Sequence, residues 1–258
     1  MRPITTPLGA TVAAAALALA AGCGGGPAAD STAPSTTAPS AVAAAAESAT
    51  TTTAAPASPV PGESLVARSD RDVAVFAAPG DGEPATVLPA VTEFGSPRAL
   101  LVVREQGDWL QVALPERPNG STGWIPRSDV TLRTVDEAIV VDTAARTLTL
   151  LDGGTEVLTT PIAVGTPTNP TPAGAFYVVD KLDTGDIGGP YGRFALGLSA
   201  HSEVLSEFAG GDGQVGIHGT DDPGSIGQAV SHGCVRVPND VAAVLAATVN
   251  LGTPVLVT

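Results

Sequence analysis

Ser231-His232-Gly233-Cys234-Val235-Arg236 is the stretch that decides what the second half of this chain can fold into. If it is extended, the two-residue period of a β-strand puts His232, Cys234 and Arg236 on one face and the valines on the other. The first face is then polar and reactive, while the second anchors the strand in an apolar core. Gly233 beside the thiol lets a substrate backbone come close, and adjacent amides there can serve as an oxyanion hole.

A second polar stretch, Ile217-His218-Gly219-Thr220, lies upstream, and His218 precedes Cys234 by sixteen residues. A hairpin-like return of the chain can bring the two side chains together over this distance. A thiolate–imidazolium pair would then be nucleophilic near neutral pH, because a neighbouring cation lowers the pKa of a thiol. Free cysteines are also commonly buried as small apolar residues, so Cys234 taken alone does not establish a nucleophile.

Together, His218 and Ser231-His232-Gly233-Cys234 resemble the signature of the L,D-transpeptidase (YkuD) family, over about residues 136–258. Asn169-Pro170-Thr171-Pro172-Ala173-Gly174-Ala175-Phe176 resembles the substrate-side segment of the same family. The resemblance implies an acyltransferase that cross-links the third residues of peptidoglycan stem peptides through a cysteinyl acyl-enzyme. It further implies that no cofactor or metal is needed, and that carbapenems inactivate the enzyme by acylating the same sulfur.

The resemblance also implies a role for each residue. Cys234 is the acylated nucleophile, His218 is its base, and the carbonyl of Gly219 orients the imidazole. His232 and Gly233 are implied to shape the oxyanion and acceptor side, and Ser231 belongs to the same group of substrate and oxyanion residues. Arg236 is implied to contact the substrate. Arg236 could instead be a structural ion-pair partner. Gly219 stands where some family members have Ser, a difference expected to cost little if only the carbonyl is used.

Three alternatives to transpeptidation stay open. Water in place of an amine acceptor would give an L,D-carboxypeptidase that trims stem tetrapeptides. A metal site would use His218, His232 and Cys234 as zinc ligands with an open fourth position. A catalytically idle wall-binding lipoprotein built from two β domains is the third alternative. His201 matches no catalytic element, and we expect it at the surface or in a loop.

Residues 134–258 are expected to form a β-sandwich catalytic domain with one short helix. The turn Asp152-Gly153-Gly154 between apolar runs predicts a hairpin. A helix is predicted over residues 240–249, with Asn239 as its N-cap and Gly252 after its end. Strands are predicted over residues 138–141, 147–151, 157–164 and 254–257.

Residues 64–133 show short apolar-alternating runs between turns, which predict a small barrel of about five strands. Two stretches, residues 107–112 and 123–130, resemble bacterial SH3-like domains. Trp109 and Trp124 are expected in the core rather than on a ligand platform. Because no nucleophile–base pair occurs here, this domain is expected to position the enzyme and to supply no catalytic group. A fragment of residues 134–258 is therefore expected to retain acylation of its cysteine if it stays folded.

Residues 1–22 predict a lipoprotein signal peptide, because the apolar run after Arg2 is too short to span a bilayer as a mature helix. Leu19-Ala20-Ala21-Gly22-Cys23 resembles a bacterial lipobox, which implies an acylated Cys23 and anchoring to the outer face of the cytoplasmic membrane. Ordinary secretion with an incidental cysteine is the alternative. If Cys23 is acylated, the second of the two cysteines, Cys234, is an unpaired thiol in an exported protein, which requires an explanation.

Residues 23–63 are almost entirely Ala, Thr, Ser, Pro and Gly, and we predict a disordered tether that lifts the enzyme into the cell wall. Only 3% of the chain is aromatic while Gly and Pro number 30 and 23, which favours a mainly β protein. The net charge is −14 with Lys181 as the single lysine, so no basic stripe exists for nucleic acid. The expected partners are peptidoglycan stem peptides, bound by a monomer.

Overall fold

Strands make up most of the protein in a computed structural model that describes residues 62–207 and 210–258. Within these residues the chain forms seventeen strands and one α-helix, and the prediction of a mainly β protein with one short helix is confirmed. The predicted signal peptide, Cys23 and nearly all of the predicted tether lie outside the described residues. No helix in the described part of the chain is long and apolar enough to cross a membrane.

The first part of the fold is a five-stranded antiparallel sheet with a small hairpin beside it. The sheet order is β6-β5-β4-β1-β7, and β2 pairs with β3. The hairpin joins the sheet through backbone hydrogen bonds between Phe76 and Trp124, and Trp124 is buried as predicted. The resemblance to SH3-like domains stays a prediction. The strands are β1 (Ser64–Arg68), β2 (Val73–Val75), β3 (Thr86–Leu88), β4 (Ala99–Gln106), β5 (Trp109–Ala113), β6 (Thr122–Pro126) and β7 (Thr131–Val135).

The second part contains an eight-stranded sheet in the order β10-β9-β8-β17-β12-β13-β14-β16. Its longest strand, β12, turns the sheet into two layers, because its first residues pair with β17 and its later residues pair with β13. The strands are β8 (Glu137–Asp142), β9 (Thr147–Asp152), β10 (Thr155–Pro161), β11 (Val164–Gly165), β12 (Gly174–Asp183), β13 (Phe194–His201), β14 (Gln214–His218), β15 (Ala229–Ser231), β16 (Val235–Arg236) and β17 (Pro254–Val257).

Two local predictions can be compared directly with the structure. Gly153 and Gly154 both have positive φ angles, 55° and 81°, which is the backbone of a tight turn between β9 and β10, as the hairpin prediction requires. The helix α1 spans Asn239–Thr248, and Pro238 rather than Asn239 occupies its N-cap position. The N-cap prediction is wrong because the Asn239 side chain bonds to another loop, described below.

The apolar cores of the two parts interlock. Val66 and Ala99 of the first part belong to the core of the second, and Tyr177 and Val179 of β12 belong to the core of the first. The predicted domain boundary at residues 133 and 134 falls inside β7. A fragment that starts at residue 134 would therefore lack Val66 and Ala99 of its own core, so the condition that it stays folded must be checked before its acylation is measured.

Candidate active site

The strands β14 and β16 bring the two polar stretches side by side. They are parallel neighbours in which Ile217 pairs with Val235 and His218 pairs with Arg236. Exposure alternates along the second stretch, since Val235 is 0% exposed while Cys234 and Arg236 are partly exposed. The chain thus presents the thiol, the guanidinium and the imidazole to one cleft, with the valines in the core.

A hydroxyl fixes the turn that leads to the thiol. Ser231 is buried, and its Oγ donates to the carbonyl of Cys234 at 2.6 Å while it accepts from the N–H of Gly233 at 3.1 Å. Gly233 has a φ of 126°, a conformation that favours glycine. The Gly233 amide, a predicted oxyanion donor, is therefore bonded within the turn, and Ser231 shapes the backbone around the thiol.

The imidazole of His218 is 5% exposed and has a defined tautomer. Its Nδ1 lies 2.6 Å from the carbonyl oxygen of Gly219, and because a carbonyl can only accept, Nδ1 carries the proton. Nε2 therefore keeps its lone pair. Burial lowers the pKa of His218 to about 4, the bond to Gly219 opposes this, and the charge of Arg236 adds to it.

Burial also acts on the nucleophile, raising the pKa of the Cys234 thiol, while a backbone hydrogen bond from Gly216 and the charge of Arg236 act in the opposite direction. Around neutral pH the free site therefore holds a neutral thiol and a neutral imidazole. This differs from the thiolate–imidazolium pair predicted from the sequence. The reason is desolvation, which penalises both charged forms and has no counterpart in a residue pattern.

Two cavities meet at the thiol, and both are lined by Cys234, His218 and Tyr191. The smaller, which we call the basic cavity, has a volume of about 100 Å³ and also contains Ser231, His232 and Arg236. The larger, which we call the acidic cavity, has a volume of about 390 Å³. Its further lining includes Glu93, Phe94, Leu182, Thr184, Leu196 and Asp212.

Arg236 forms no ion pair with the described residues. Its Nε is buried and has no hydrogen-bond partner among the described residues. None of the salt bridges within residues 62–207 and 210–258 involves it. A buried donor without an acceptor carries a desolvation penalty, which an acceptor on a bound ligand would relieve.

Tyr191 is a site residue that the sequence analysis missed. Its ring packs edge-on against the imidazole of His218, with ring centroids 4.8 Å apart and an interplanar angle of 67°. Burial and the neighbouring Cys234 raise the pKa of its hydroxyl. The available signal was the turn Gly188-Gly189-Pro190-Tyr191-Gly192. Gly192 is required there, because a Cβ would lie 2.9 Å from the Cα of Gly219.

Asn239 supports the loop that follows His218. Its Oδ1 accepts from the N–H of Thr220 at 2.8 Å, and its Nδ2 donates to the carbonyl of the same residue at 3.0 Å. A Cβ on Gly219 would lie 2.1 Å from the Asn239 Oδ1. A Ser side chain at position 219 would therefore displace the Asn239 amide in this chain, while the Gly219 carbonyl is present and accepts from Nδ1 of His218.

His201 is buried at the end of β13, and its predicted place at the surface is wrong. Its Nε2 lies 2.9 Å from a carboxylate oxygen of Asp212, and its backbone N–H donates to the side chain of Asn119 at 2.9 Å. The burial arises because later residues fold back over the strand end. Within the described residues, no group of three or more His, Cys, Asp or Glu side chains is placed to hold a metal ion.

Arg117 of the first part holds the segment that follows β13. Its guanidinium donates to three backbone carbonyls of that segment, those of Ser202, Leu205 and Asp212, the last two at 2.9 and 2.8 Å. Ser202 and Leu205 line the basic cavity. One side chain of the first part thus fixes a wall of the cleft.

The amino-acid sequence of the chain is similar to known proteins. The family model of the L,D-transpeptidase catalytic domain (YkuD) matches residues 136–257. The chain is 39% identical over 124 residues to the Bacillus subtilis (strain 168) protein named L,D-transpeptidase YkuD, covering 48% of this chain and 67% of that protein.

Two solved structures are also similar to this chain. The catalytic domain of an E. faecium L,D-transpeptidase is 32% identical, with 48% of this chain and 97% of that chain covered and a TM-score of 0.35. LdtMt1 in complex with imipenem is 20% identical, with 78% and 100% covered and a TM-score of 0.41.

Proposed function

The chain belongs to the L,D-transpeptidase (YkuD) family, and we propose that Cys234 and His218 carry out its acyl transfer between peptidoglycan stem peptides. The observation that carries the proposal is a cleft that holds a thiol, an imidazole with Nε2 as its basic nitrogen, and a guanidinium whose Nε has no hydrogen-bond partner among the described residues.

In the first half-reaction, Cys234 attacks the carbonyl carbon that follows the third residue of a donor stem. As the sulfur–carbon bond forms, the thiol proton passes to Nε2 of His218, and the carbonyl becomes an oxyanion. Collapse of this intermediate breaks the carbon–nitrogen bond, and His218 returns the proton to the departing amino group of the terminal D-residue. A thioester on Cys234 remains.

In the second half-reaction, an amine of a neighbouring stem attacks the thioester carbonyl. The amine gives up a proton to His218, the carbon–sulfur bond breaks, and the thiolate is reprotonated. The product is an amide that links two third residues. The Gly219 carbonyl supports both steps, because it accepts from Nδ1–H and favours the imidazolium that forms transiently.

Because both partners are neutral at rest, the proton must move as the thiol attacks. The low pKa of His218 makes its imidazole available as a base over the whole neutral range. Arg236 lies close enough to lower the pKa of both groups, and its positive charge favours the developing oxyanion and thiolate. We assign Arg236 to contacts with the donor stem.

Hydrolysis of the same thioester would make the protein an L,D-carboxypeptidase. The two activities differ only in the second nucleophile, so the products decide between them. Tetrapeptide muropeptides incubated with the protein should yield dimers two stems in size, detected by mass spectrometry. Exclusive release of trimmed tripeptides would overturn transpeptidation, and the Cys234→Ala variant provides the matched control for both products.

Carbapenem inhibition follows from the same chemistry. Attack of the thiol on the β-lactam carbonyl opens the ring and leaves an adduct whose mass equals that of the inhibitor. We therefore expect one imipenem per chain on Cys234 and none in Cys234→Ala, measured by mass spectrometry of the intact protein. Adduct formation in the variant would remove Cys234 from the mechanism.

We place the enzyme in the cell wall, held by lipid on Cys23 and by the tether of residues 23–63. The support for this is the lipobox-like stretch and the composition of the tether. At roughly 5–6 Å times the square root of its length, such a tether has a mean reach of about 35 Å. That distance lifts the cleft from the membrane toward the peptidoglycan layer.

A further inference from the structure

The larger of the two cavities has a wall that belongs to the first part of the fold. We propose that the hairpin of residues 91–97 forms an acceptor subsite, in which Glu93 and Phe94 bind a cationic amine on an aliphatic chain. The inference rests on the proposed function and adds the chemistry of the second substrate.

The hairpin is closed by its own hydrogen bonds. The N–H of Thr92 donates to the carbonyl of Ser96 at 2.9 Å, and the N–H of Ser96 donates back to the Thr92 hydroxyl at 3.0 Å. The N–H of Gly95 donates to the Thr92 carbonyl at 3.0 Å. Glu93 and Phe94 are thereby presented at the tip of a defined turn.

Side-chain contacts dock the hairpin on β12. The Thr92 hydroxyl donates to Asp180, which is almost fully buried, and the N–H of Lys181 donates to the Ser96 hydroxyl at 3.3 Å. Asp180 also accepts from the amide of Gln214 at 3.4 Å. Since Gln214 begins the strand that ends at His218, one carboxylate connects the hairpin to the catalytic strand.

The docked tip faces the cavity that contains the nucleophile. Glu93 is exposed, and Phe94 is 53% exposed, an unusual state for a large aromatic side chain. Together with Leu182 and Leu196 they line the acidic cavity, which reaches Cys234. An aliphatic chain could pack against this apolar wall while its end approaches the thioester.

The two cavities differ in charge. The charged side chains lining the acidic cavity are Glu93 and Asp212, whereas the basic cavity contains Arg236 and no acidic residue. Asp212 already contacts His201, and none of the ion pairs in the described part of the chain involves Glu93. Glu93 is thus the carboxylate available to a ligand.

The second half-reaction brings a cation to the site that such a carboxylate can bind. An alkyl amine arrives as an ammonium at neutral pH, since its pKa lies near that of lysine, about 10.4. A carboxylate that lines the cavity attracts the ammonium form and raises its local concentration, and the apolar wall accommodates the methylene chain. The bound ammonium releases one proton to bulk water, and the neutral amine then attacks the thioester and passes its second proton to His218. The donor stem, with its terminal carboxylate, is directed to the opposite cavity by Arg236.

The test separates the two half-reactions in the full chain. Acylation of Cys234 by a tetrapeptide donor is measured in single-turnover experiments, and the thioester is then resolved with Nα-acetyl-lysine amide, whose only amine is on its side chain. Glu93→Gln should raise the KM for this acceptor about two- to fivefold, and Glu93→Lys about tenfold. Glu83→Gln, an exposed acid of the first part outside both cavities, is the matched control and should leave the KM unchanged.

Hydrolysis of the thioester without amine provides an internal reference, because water carries no charge. The acceptor role predicts that the Glu93 variants have a raised acceptor KM while hydrolysis without amine continues at the parental rate, and that added salt reduces the difference in KM. An unchanged acceptor KM in Glu93→Lys would overturn the role, as would an equal loss of hydrolysis. Failure of the parent protein to form the Cys234 thioester would instead refute the proposed function.

Discussion

The contact between Gly252 and Val66 allows the coupling between the two parts of the fold to be measured. A Cβ added at Gly252 would lie 2.4 and 2.6 Å from the two γ-carbons of Val66, whereas carbon atoms in good contact are about 3.5–4.0 Å apart. Gly252 also has a φ of 92°, which strains any residue with a side chain. Gly252→Ala should therefore destabilise the protein through two separate effects.

The magnitude follows from these two effects. Backbone strain contributes about 1–2 kcal/mol and overpacking about 1–3 kcal/mol, so the total is about 2–5 kcal/mol. In a folded unit of this size, that corresponds to a Tm lowered by about 4–20 °C. Gly153→Ala is the matched control, because Gly153 has a φ of 55° with nothing within 4 Å of its added Cβ, so only the strain applies.

A double-mutant cycle isolates the steric effect. Val66→Ala removes both γ-carbons and costs about 1–3 kcal/mol by itself, but it also makes room for the methyl group of Gly252→Ala. The double variant should be about 1–3 kcal/mol more stable than the sum of the single effects predicts, by chemical or thermal unfolding. Additivity within about 0.5 kcal/mol would show that the two residues are not in contact, and would refute the shared core.

Four further predictions concern the site and the anchor. Cys234→Ala should abolish the thioester and the cross-link. His218→Ala should slow acylation by about two to four orders of magnitude, as followed by stopped-flow. An acylation rate equal to that of the parent protein in His218→Ala would show that His218 is not the base. The acylation rate should fall only as pH drops through about 4, because only the neutral imidazole accepts a proton; a midpoint near 6.5 in a pH–rate profile would contradict the lowered pKa. Arg117→Ala should raise the KM for the donor stem more than Arg117→Lys does, because three backbone carbonyls lose their hydrogen-bond partner. Equal KM values for the two variants in steady-state assays would show that Arg117 does not hold the wall of the cleft. Cys23→Ala should release the protein from membrane fractions, as seen by immunoblotting, and unchanged membrane association would disprove the anchor.

The sequence predicted those features that depend on local pattern. Alternation around Cys234 correctly indicated which side chains face the core, and the Gly153-Gly154 pair correctly indicated a hairpin. Both depend on the two-residue period of strands and on the backbone freedom of glycine. Such rules operate within a few residues and need no knowledge of the rest of the fold.

The features that were missed depend on contacts between distant segments. Asn239 has the sequence position of a helix N-cap, yet its amide bonds to Thr220, nineteen residues earlier. His201 follows a strand and resembles a loop residue, but Asp212 and Asn119 enclose it. Glu93 lies in a turn of the first part, and nothing in its neighbourhood in the sequence indicates that it lines the cleft. Only the three-dimensional arrangement reveals these pairings.

The interlocked cores have a consequence for the order in which the protein can fold. Synthesis completes residues 64–135 before Tyr177 exists, so this part at first has a gap where a large aromatic ring belongs. Since strand β7 ends at Val135 and β8 begins at Glu137, no flexible linker separates the two parts either. The core of the first part is complete only after β12 has been synthesised and has packed Tyr177 and Val179 into it. A transfer of the first part to another enzyme would therefore have to include Tyr177 and its strand β12.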